Sequence, residues 1–412
     1  MAVLGFSAMD PTRLNDLITW LADGARSAVD TELFMAETCE RMVASGIPLF
    51  RVAVFVRTLH PSLLGLGFIW RAGGGVTLGS MVHGEDDGDE FQLSPLRRVF
   101  FEGIEVRHRL IGDEVSNVPL LADLRAEGST DYIALPLNMS DGAIHASSWT
   151  TRDPEGFSDP QLDGIRRVMP ALARMIEIHL LRHMASGLLD NYVGARAGAR
   201  ILAGQIRRGH TETMQAVIWL SDLRGFTALS DRLQPESVVD ILNRYFDCQV
   251  PAILQHGGEV LKFMGDGLLA VFPVADGEDD LPIVCGRVLE AARASCAAVA
   301  QLSWAGTDLI EERFRFGLAL HVGKVLYGNI GGGDRVDFTC IGPAVNLAAR
   351  LEKIAGRLGR TVVASSAFAS ASNGDWADLG EFPIAGFARA ERVYGLVEEA
   401  AAGASAILPA PS

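Results

Sequence analysis

Apolar and polar residues follow both a helical and a strand-like period in the first part of the chain. A helical pattern comes first, with apolar residues at gaps of three and four: Leu14, Leu17, Ile18 and Leu21. Strand-like runs follow, including residues 132–137 and 143–150, with a turn sequence between them. This order of elements predicts a domain in which helices flank a central antiparallel sheet.

A long helix is predicted to begin near Ser158. Ser158 and Gln161 have capping-box spacing, and Pro160 lies in the first turn, where proline is tolerated. Apolar residues then recur alternately three and four apart: Leu162, Ile165, Met169, Leu172 and Ile176. This is coiled-coil spacing, and it fits either a helix packed on its own domain or a parallel dimer helix.

The pattern changes again from residue 214 onward. A buried strand over residues 215–221 is predicted to end at Asp222. Residues 259–272 read as two strands joined by a glycine-flanked turn, with Asp266 at its tip. If these strands are neighbours in one sheet, the two aspartates converge.

Converging aspartates at these positions predict a metal site. Two carboxylates placed together repel each other, and a divalent cation relieves that repulsion. Hard oxygen ligands of this kind favour Mg²⁺ or Mn²⁺. Asp222 or Asp266 alone would more often be a cap or turn residue, but each also has glycine close by in the sequence.

Composition and charge narrow the class of protein. The length of 412 residues predicts two or three domains, and 49% hydrophobic with 21% charged residues predicts ordinary apolar cores. The 36 Lys and Arg against 51 Asp and Glu leave a net charge of −15. This balance argues against a general binder of nucleic acid or anionic membranes, which needs a basic surface. A small anionic ligand held by a few local cations stays compatible with it.

The cysteines and the apolar runs predict a cytoplasmic protein without a membrane span. Five cysteines are scattered without CxxC spacing, which is typical of reduced, intracellular thiols: Cys39, Cys248, Cys285, Cys296 and Cys340. The N-terminus lacks the basic start and apolar core of a secretory signal. The longest apolar run, near residues 63–70, is too short for a membrane helix.

Four motifs occur in order over the second half of the chain. They are DLRGFT at residues 222–227, KFMGDG at 262–267, GKVLYGNIG at 323–331 and GPAVNLAARLE at 342–352. Together they resemble the class III adenylate/guanylate cyclase catalytic domain, over about residues 214–396. The resemblance implies an α+β fold with a ferredoxin-like βαββαβ core. It also implies a head-to-tail homodimer with active sites at the interface.

The resemblance assigns the metal site a role. It implies that Asp222 and Asp266, with the Leu223 carbonyl, hold two Mg²⁺ or Mn²⁺ ions in each active site. One ion would lower the pKa of the ribose 3′-hydroxyl, and the other would hold the triphosphate. The reaction implied is an in-line displacement at the α-phosphate, with pyrophosphate leaving.

Further motif residues are implied to contact the phosphates and the ribose. The backbone N–H groups of Gly225, Phe226 and Thr227, in a glycine-containing turn that opens a helix, suit the β- and γ-phosphates. Asn346 and Arg350 lie four apart and therefore share one face of a helix. The family assigns the asparagine to ribose orientation and the arginine to transition-state charge.

Lys262 and Thr339 are the residues expected to choose the base. Lys262 matches the position where adenylate cyclases resemble one another in carrying lysine, whose ammonium can donate to adenine N1. Thr339 lies seven residues before Asn346, where adenylate cyclases carry aspartate or threonine and guanylate cyclases typically cysteine. Cys340 is adjacent, but the seven-residue gap without insertion favours Thr339. ATP is the expected substrate.

One departure from the family concerns the triphosphate. The family's late triphosphate-binding lysine would fall near residues 386–388, which are Gly-Phe-Ala. Arg389, just beyond them, is the nearest cation that could replace it.

The first part of the chain resembles a GAF-type sensory domain. The resemblance lies in YIALPL at residues 132–137, GAIHASSW at 142–149 and GFSD at 156–159. It implies a regulatory domain with a possible small-molecule ligand. The same region could instead only dimerise.

The chain is thus predicted to have four segments and one enzymatic activity. The segments are a GAF-like domain (1–157), a helical connector (158–209), a cyclase domain (210–397) and a disordered tail (398–412). The expected activity is that of a homodimeric adenylate cyclase. Two alternatives are a guanylate cyclase and a catalytically silent nucleotide-binding module. Silent relatives usually lose a metal aspartate or the helix asparagine or arginine, and all four are present here.

Overall fold

The computed structural model divides the chain into two compact units, Met1–Leu188 and Leu189–Ser412. It describes residues 9–28, 30–59, 63–82, 89–111, 118–275, 280–302, 315–333 and 335–399. The boundary between the units falls inside the predicted connector. Among the helices of the described residues, none has the length and apolar character needed to cross a membrane.

The first unit is a six-stranded antiparallel sheet with flanking helices. Its elements are α1 Pro11–Ala22, α2 Thr31–Ala44, β1 Arg51–Arg57, β2 Leu63–Arg71, β3 Gly75–Val82, α3 Asp89–Leu93, α4 Pro95–Glu102, β4 Val106–Arg109, α5 Pro119–Ala126, β5 Asp131–Asn138 and β6 Ile144–Thr151. The strand order is β3-β2-β1-β6-β5-β4. A mixed domain with a central antiparallel sheet is what the pattern predicts, and its GAF-like identity stays a prediction.

A long helix, α6 (Asp159–Val193), begins at the predicted capping sequence. The Ser158 backbone N–H donates to Gln161 Oε1 at 2.9 Å, and the helix continues through Pro170. The predicted apolar stripe packs into the core of the first unit: Leu162, Ile165, Met169, Leu172 and Ile176. The spacing of these five residues is therefore explained by packing on their own domain.

The second unit contains the remaining elements. They are α7 Ala195–Leu202, β7 Thr211–Leu223, α8 Phe226–Ser230, α9 Pro235–Asp247, α10 Val250–Gln255, β8 Glu259–Met264, β9 Gly267–Val274, α11 Asp280–Ala300, β10 Phe316–Gly332, β11 Arg335–Ile341, α12 Pro343–Leu358, β12 Val362–Ser365, α13 Ser366–Ala371, β13 Trp376–Phe382 and β14 Glu391–Leu396. Most of the predicted helical connector, residues 158–209, is helical, since it includes α6 and α7.

The sheet of the second unit has the predicted ferredoxin-like core. Its strand order is β13-β14-β12-β10-β7-β9-β8, with β11 paired to β10. Within it, β7, β8, β9 and β10 form antiparallel neighbours in the order β10-β7-β9-β8. Because α9 follows β7 and α11 follows β9, the connectivity is βαββαβ. This topology places the end of β7 beside the β8–β9 turn.

The end of the described chain is attached to the second unit. The Glu399 carboxylate accepts hydrogen bonds from the backbone N–H groups of Thr361 and Val362 at 3.1 and 2.8 Å. Glu398 forms an ion pair with Arg293 at 3.0 Å. The rest of the predicted disordered tail, residues 400–412, lies outside the described residues.

A buried histidine on β10 predicts a pH-dependent stability. His321 is 8% exposed, and its Nδ1 lies 2.8 Å from Ser365 Oγ. Burial lowers the pKa of His321 to about 4, whereas an unfolded histidine titrates near 6.5. The unfolded chain therefore binds more protons between these values, so stability is full above about pH 6.5 and falls as the pH drops towards 4.

We expect the free energy of unfolding to be about 2 kcal/mol lower at pH 5 than at pH 7.5 through this residue. Denaturant unfolding of the wild type and of His321→Gln at both pH values checks it. The variant should lose this part of the pH dependence. The matched control His183→Gln, at an exposed histidine of α6, should keep it. An equal pH dependence in His321→Gln and the wild type would contradict the expectation.

Candidate active site

The two aspartates predicted to converge do so. Asp222 lies near the end of β7 and pairs in register with Gly267, the first residue of β9. Asp266 precedes that glycine in the turn, where Gly265 adopts a φ of +69° that favours glycine. The two carboxyl groups are close enough for the charge of Asp266 to act on Asp222. Two carboxyl groups thus meet at one edge of the sheet.

The electrostatics of this pair suit a divalent cation. Partial burial and the negative charges of Asp266 and Glu352 raise the pKa of Asp222 to about 7, while Arg224 opposes this rise. A bound cation would offset the repulsion that adds to the effect of burial. No cluster of three or more His, Cys, Asp or Glu side chains suited to a metal occurs among the described residues. Two carboxylates and the Leu223 carbonyl would therefore leave positions for phosphate oxygens and water.

Arg224 connects this edge of the sheet to helix α12. Its Nη1 lies 2.5 Å from Glu352 Oε1, and its Nη2 donates to the Glu352 carbonyl oxygen at 3.0 Å. A Cβ added at Gly317 or Gly356 would lie within 3 Å of the guanidinium, so glycines make room for it. The ion pair joins residues 128 positions apart, and no local spacing in the sequence predicts it.

Asn346 and Arg350 lie on α12, as their spacing predicts. Both are exposed, and both are on one face of the helix because they are four residues apart. Within the part of the chain that the structure describes, neither side chain forms a hydrogen bond or ion pair with Asp222 or Asp266. The single chain thus presents the carboxylate pair and the asparagine–arginine pair as separate groups.

Lys262 has a carboxylate partner that the sequence analysis missed. Its Nζ lies 2.5 Å from Asp337 Oδ2, and this ion pair joins β8 to β11. Phe338 and Cys340 belong to a buried apolar cluster. Because side chains alternate along a strand, Asp337 and Thr339 share the opposite face of β11. Thr339 and Cys340 are both buried, at 7% and 3% exposed, so the choice of Thr339 over Cys340 stays a prediction.

The remaining predicted residues lie at two other places. Gly225 has a φ of +74° and precedes α8, whose first residues are Phe226 and Thr227. The Leu223 side chain is buried, so only its backbone is available to a ligand. Arg389 is exposed between β13 and β14. Its role as a substitute for the missing lysine stays a prediction.

Comparisons with known proteins find similarity over this part of the chain. Residues 210–394 match the model of the adenylate and guanylate cyclase catalytic domain. The chain is 30% identical over 158 residues to an adenylate cyclase of Anabaena cylindrica, and the match covers 38% of this chain and 31% of the relative. It is 33% identical over 150 residues to adenylate cyclase 1 of Rhizobium meliloti, covering 36% and 22%.

A solved structure with similarity to this chain is the adenylyl cyclase CyaB from P. aeruginosa. The identity is 26%, the TM-score is 0.39, and the match covers 46% of this chain and 96% of that one. The two curated relatives are longer proteins, since the matched segments span about a third of their length or less. The family match supports an adenylate and guanylate cyclase catalytic domain in residues 210–394.

Proposed function

We propose that this protein is an adenylate cyclase that converts ATP to 3′,5′-cyclic AMP and pyrophosphate. The observation that carries the proposal is the position of Lys262 beside Asp337, on the face of β11 that also holds Thr339. Adenine has an acceptor at N1 and a donor at its N6 amino group. The ammonium group can donate to N1, and the carboxylate or the hydroxyl can accept from N6.

Guanine held in the orientation described for adenine fits these groups poorly. Its N1–H is a donor and would face the Lys262 ammonium, which has no acceptor. Its O6 acceptor would face the Asp337 carboxylate in place of an amino group. A mismatch of this kind leaves polar groups unpaired, which discriminates strongly between nucleotides. The Anabaena and Rhizobium relatives, both named adenylate cyclases, also favour ATP.

Asp222 and Asp266 would hold Mg²⁺ or Mn²⁺ ions next to the triphosphate. When bound, such ions lower the pKa of the attacking hydroxyl and offset the charge of the phosphates. In the reaction, the ribose 3′-oxygen forms a bond to the α-phosphorus and the bond to the bridging oxygen of pyrophosphate breaks. The proton of the 3′-hydroxyl is lost to solvent.

Asn346 and Arg350 would act on the ribose and on the α-phosphoryl group. The asparagine amide can hydrogen-bond the ribose, and the planar guanidinium can neutralise charge that develops in the transition state. Both are exposed on α12 and make no contact with the carboxylate pair of their own chain in the described residues. We therefore propose a homodimer in which a second copy completes each active site.

The first unit is proposed to regulate the enzyme in the cytoplasm as a GAF-like domain. Its antiparallel sheet with flanking helices supports this assignment, and α6 runs from it to Val193. A small molecule is the proposed type of ligand.

Turnover measurements test the proposed activity directly. The full-length protein is incubated with ATP or GTP in Mg²⁺ or Mn²⁺, and the product is identified by mass spectrometry. We expect cyclic AMP from ATP, with kcat/KM for ATP at least about 100-fold above that for GTP. Cyclic GMP as the main product would indicate a guanylate cyclase. No cyclic nucleotide with either substrate would indicate a silent module.

A further inference from the structure

Helix α7 packs directly on the catalytic sheet. It follows Gly194, whose φ is +88° and at which a Cβ would lie 3.0 Å from Glu259 Oε1. Ala197, in the first turn of α7, is fully buried in the apolar cluster that contains Tyr327 and Phe338. Glycine and alanine at these positions therefore allow the close approach of α7 to β8 and β10.

A buried tyrosine and a buried glutamate lie beneath this helix. Tyr327 Oη donates to Glu259 Oε2 at 2.7 Å, and the two residues are 0% and 8% exposed. Burial raises the pKa of the Glu259 carboxyl, and the hydrogen bond from Tyr327 offsets part of this rise. Neither residue belongs to the groups assigned above to metal, ribose or base. Their burial and pairing need another explanation.

Two arginines of α7 cover the same tyrosine. The guanidinium groups of Arg196 and Arg200 lie 5.5 and 5.3 Å from the centre of the Tyr327 ring. Both also form ion pairs with Glu212 at the start of β7, that of Arg196 at 3.4 Å. These contacts hold α7 to β7 and β10. The glutamate–tyrosine pair adds β8, because Glu259 is its first residue.

Strand β8 has an irregular pairing just before Lys262. Glu259 pairs with Val271, and the register with β9 shifts between Val260 and Lys262. Lys262 itself pairs with Leu269, so the bulge lies between it and Glu259 on the same short strand. Glu259 holds one side of this bulge, and the hairpin with β9 holds the other.

The end of α6 and the start of α7 also line a cavity that contains Lys262. Asp190, Tyr192 and Arg196 line a cavity of about 670 Å³ together with Lys262 and Asp337. The cavity lies within the second unit, and it contains the two charged groups proposed to recognise adenine. A movement of α7 would therefore change a wall of this cavity as well as the anchor of β8.

We propose that Glu259 and Tyr327 are positioning residues that hold β8, and with it Lys262, in register for the base. Through their contacts with α7, Glu259 and Tyr327 connect this helix to the groups proposed to bind the base. The inference rests on the proposed function, because it assigns a role in selecting ATP. It adds a regulatory route, since α7 follows directly after the long helix α6.

Tyr327→Phe tests the proposal. The variant removes one hydroxyl and leaves the buried carboxylate of Glu259 without its tyrosine donor. We expect KM for ATP to rise about tenfold with little change in kcat, and the preference for ATP over GTP to fall by a similar factor. Hydrogen exchange of residues 195–202 should become faster. Steady-state kinetics with both nucleotides and exchange mass spectrometry measure these effects in the full-length protein.

Two further variants separate positioning from general destabilisation. Glu259→Gln keeps an acceptor for the Tyr327 hydroxyl, so it should retain more of the ATP preference than Tyr327→Phe does. Tyr394→Phe removes a half-buried hydroxyl on β14, away from α7, and should match the wild type. If Tyr327→Phe does not fold, the comparison of Glu259→Gln and Glu259→Ala replaces it. The alanine variant should then show the larger loss of preference.

The outcomes distinguish this inference from the proposed function. Faster exchange in residues 195–202 with unchanged KM and nucleotide preference would mean that the pair only stabilises α7, which overturns the positioning role. Unchanged exchange would overturn the contact itself. If the wild type makes no cyclic nucleotide, binding of ATP and GTP by calorimetry gives the preference instead, and the exchange result is unaffected.

Discussion

Asp266→Asn should lower kcat for cyclic AMP formation by about three orders of magnitude or more. The substitution keeps the shape of the side chain and removes one of the two carboxylates proposed to hold the metal ions. The same change should weaken binding of Mn²⁺, as measured by calorimetry. It should not unfold the protein, because removing one charge relieves the repulsion that Asp266 adds to the effect of burial on Asp222.

Thermal unfolding in EDTA at pH 8 checks that the Asp266→Asn protein is folded. Its melting temperature should equal or exceed that of the wild type. The matched control is Asp378→Asn, which removes a carboxylate from an exposed ion pair with Arg392 on the β13–β14 hairpin. This control should leave turnover unchanged. Wild-type turnover in a folded Asp266→Asn protein would refute the assignment of the metal site.

The second large effect concerns the choice of nucleotide. Lys262→Glu combined with Thr339→Cys should lower the ratio of kcat/KM for ATP to that for GTP by about 100-fold. The glutamate can accept from guanine N1–H, whereas the lysine cannot. Measurement of kcat/KM for both nucleotides gives the ratio. An unchanged preference for ATP would show that the base is recognised by other residues.

The Lys262–Asp337 ion pair sharpens this experiment. A glutamate at position 262 would lie close to the Asp337 carboxylate, which repels it and limits the gain for GTP. The triple variant with Asp337→Asn should therefore turn over GTP faster than the double variant. Cys340→Ala is the control, because Cys340 belongs to the buried cluster on the other face of β11. It should leave the nucleotide ratio unchanged.

Local sequence patterns predicted the elements that carry the carboxylate pair. The glycines of KFMGDG favour a tight turn, and the buried strand before Asp222 must lie inside a sheet. Asp222 and Asp266 therefore converge if these strands are neighbours in that sheet. The βαββαβ order came with the resemblance to a known family. The strands, the turn and the positions of the two aspartates could therefore be predicted from the sequence.

Contacts between residues far apart in the sequence could not be predicted from local patterns. Arg224 meets Glu352, Lys262 meets Asp337 and Tyr327 meets Glu259 across 128, 75 and 68 residues. Each depends on the side-chain positions within the folded sheet, which no period in the sequence encodes. The stripe on α6 shows the same limit, because coiled-coil spacing also suits a helix that packs on its own domain.

The last part of the predicted helical connector illustrates how tertiary contacts support a helix of weak local propensity. Glycines at positions 194, 198 and 204 lower the helix propensity of this part of the chain. In the structure, α7 forms nevertheless, because its buried Ala197 and its two arginines gain partners on the sheet. Helices of this length are stabilised mainly by such packing.

The hydrogen bonds of Glu399 bear on where the catalytic domain ends. The match to the family stops at residue 394, yet the Glu399 carboxylate satisfies two backbone amides at the start of β12. A chain cut at the family boundary would lose the end of β14 and leave those amides without this acceptor. Similarity to relatives therefore underestimates the piece of chain that can be excised intact, and a dissection of this protein should keep residue 399.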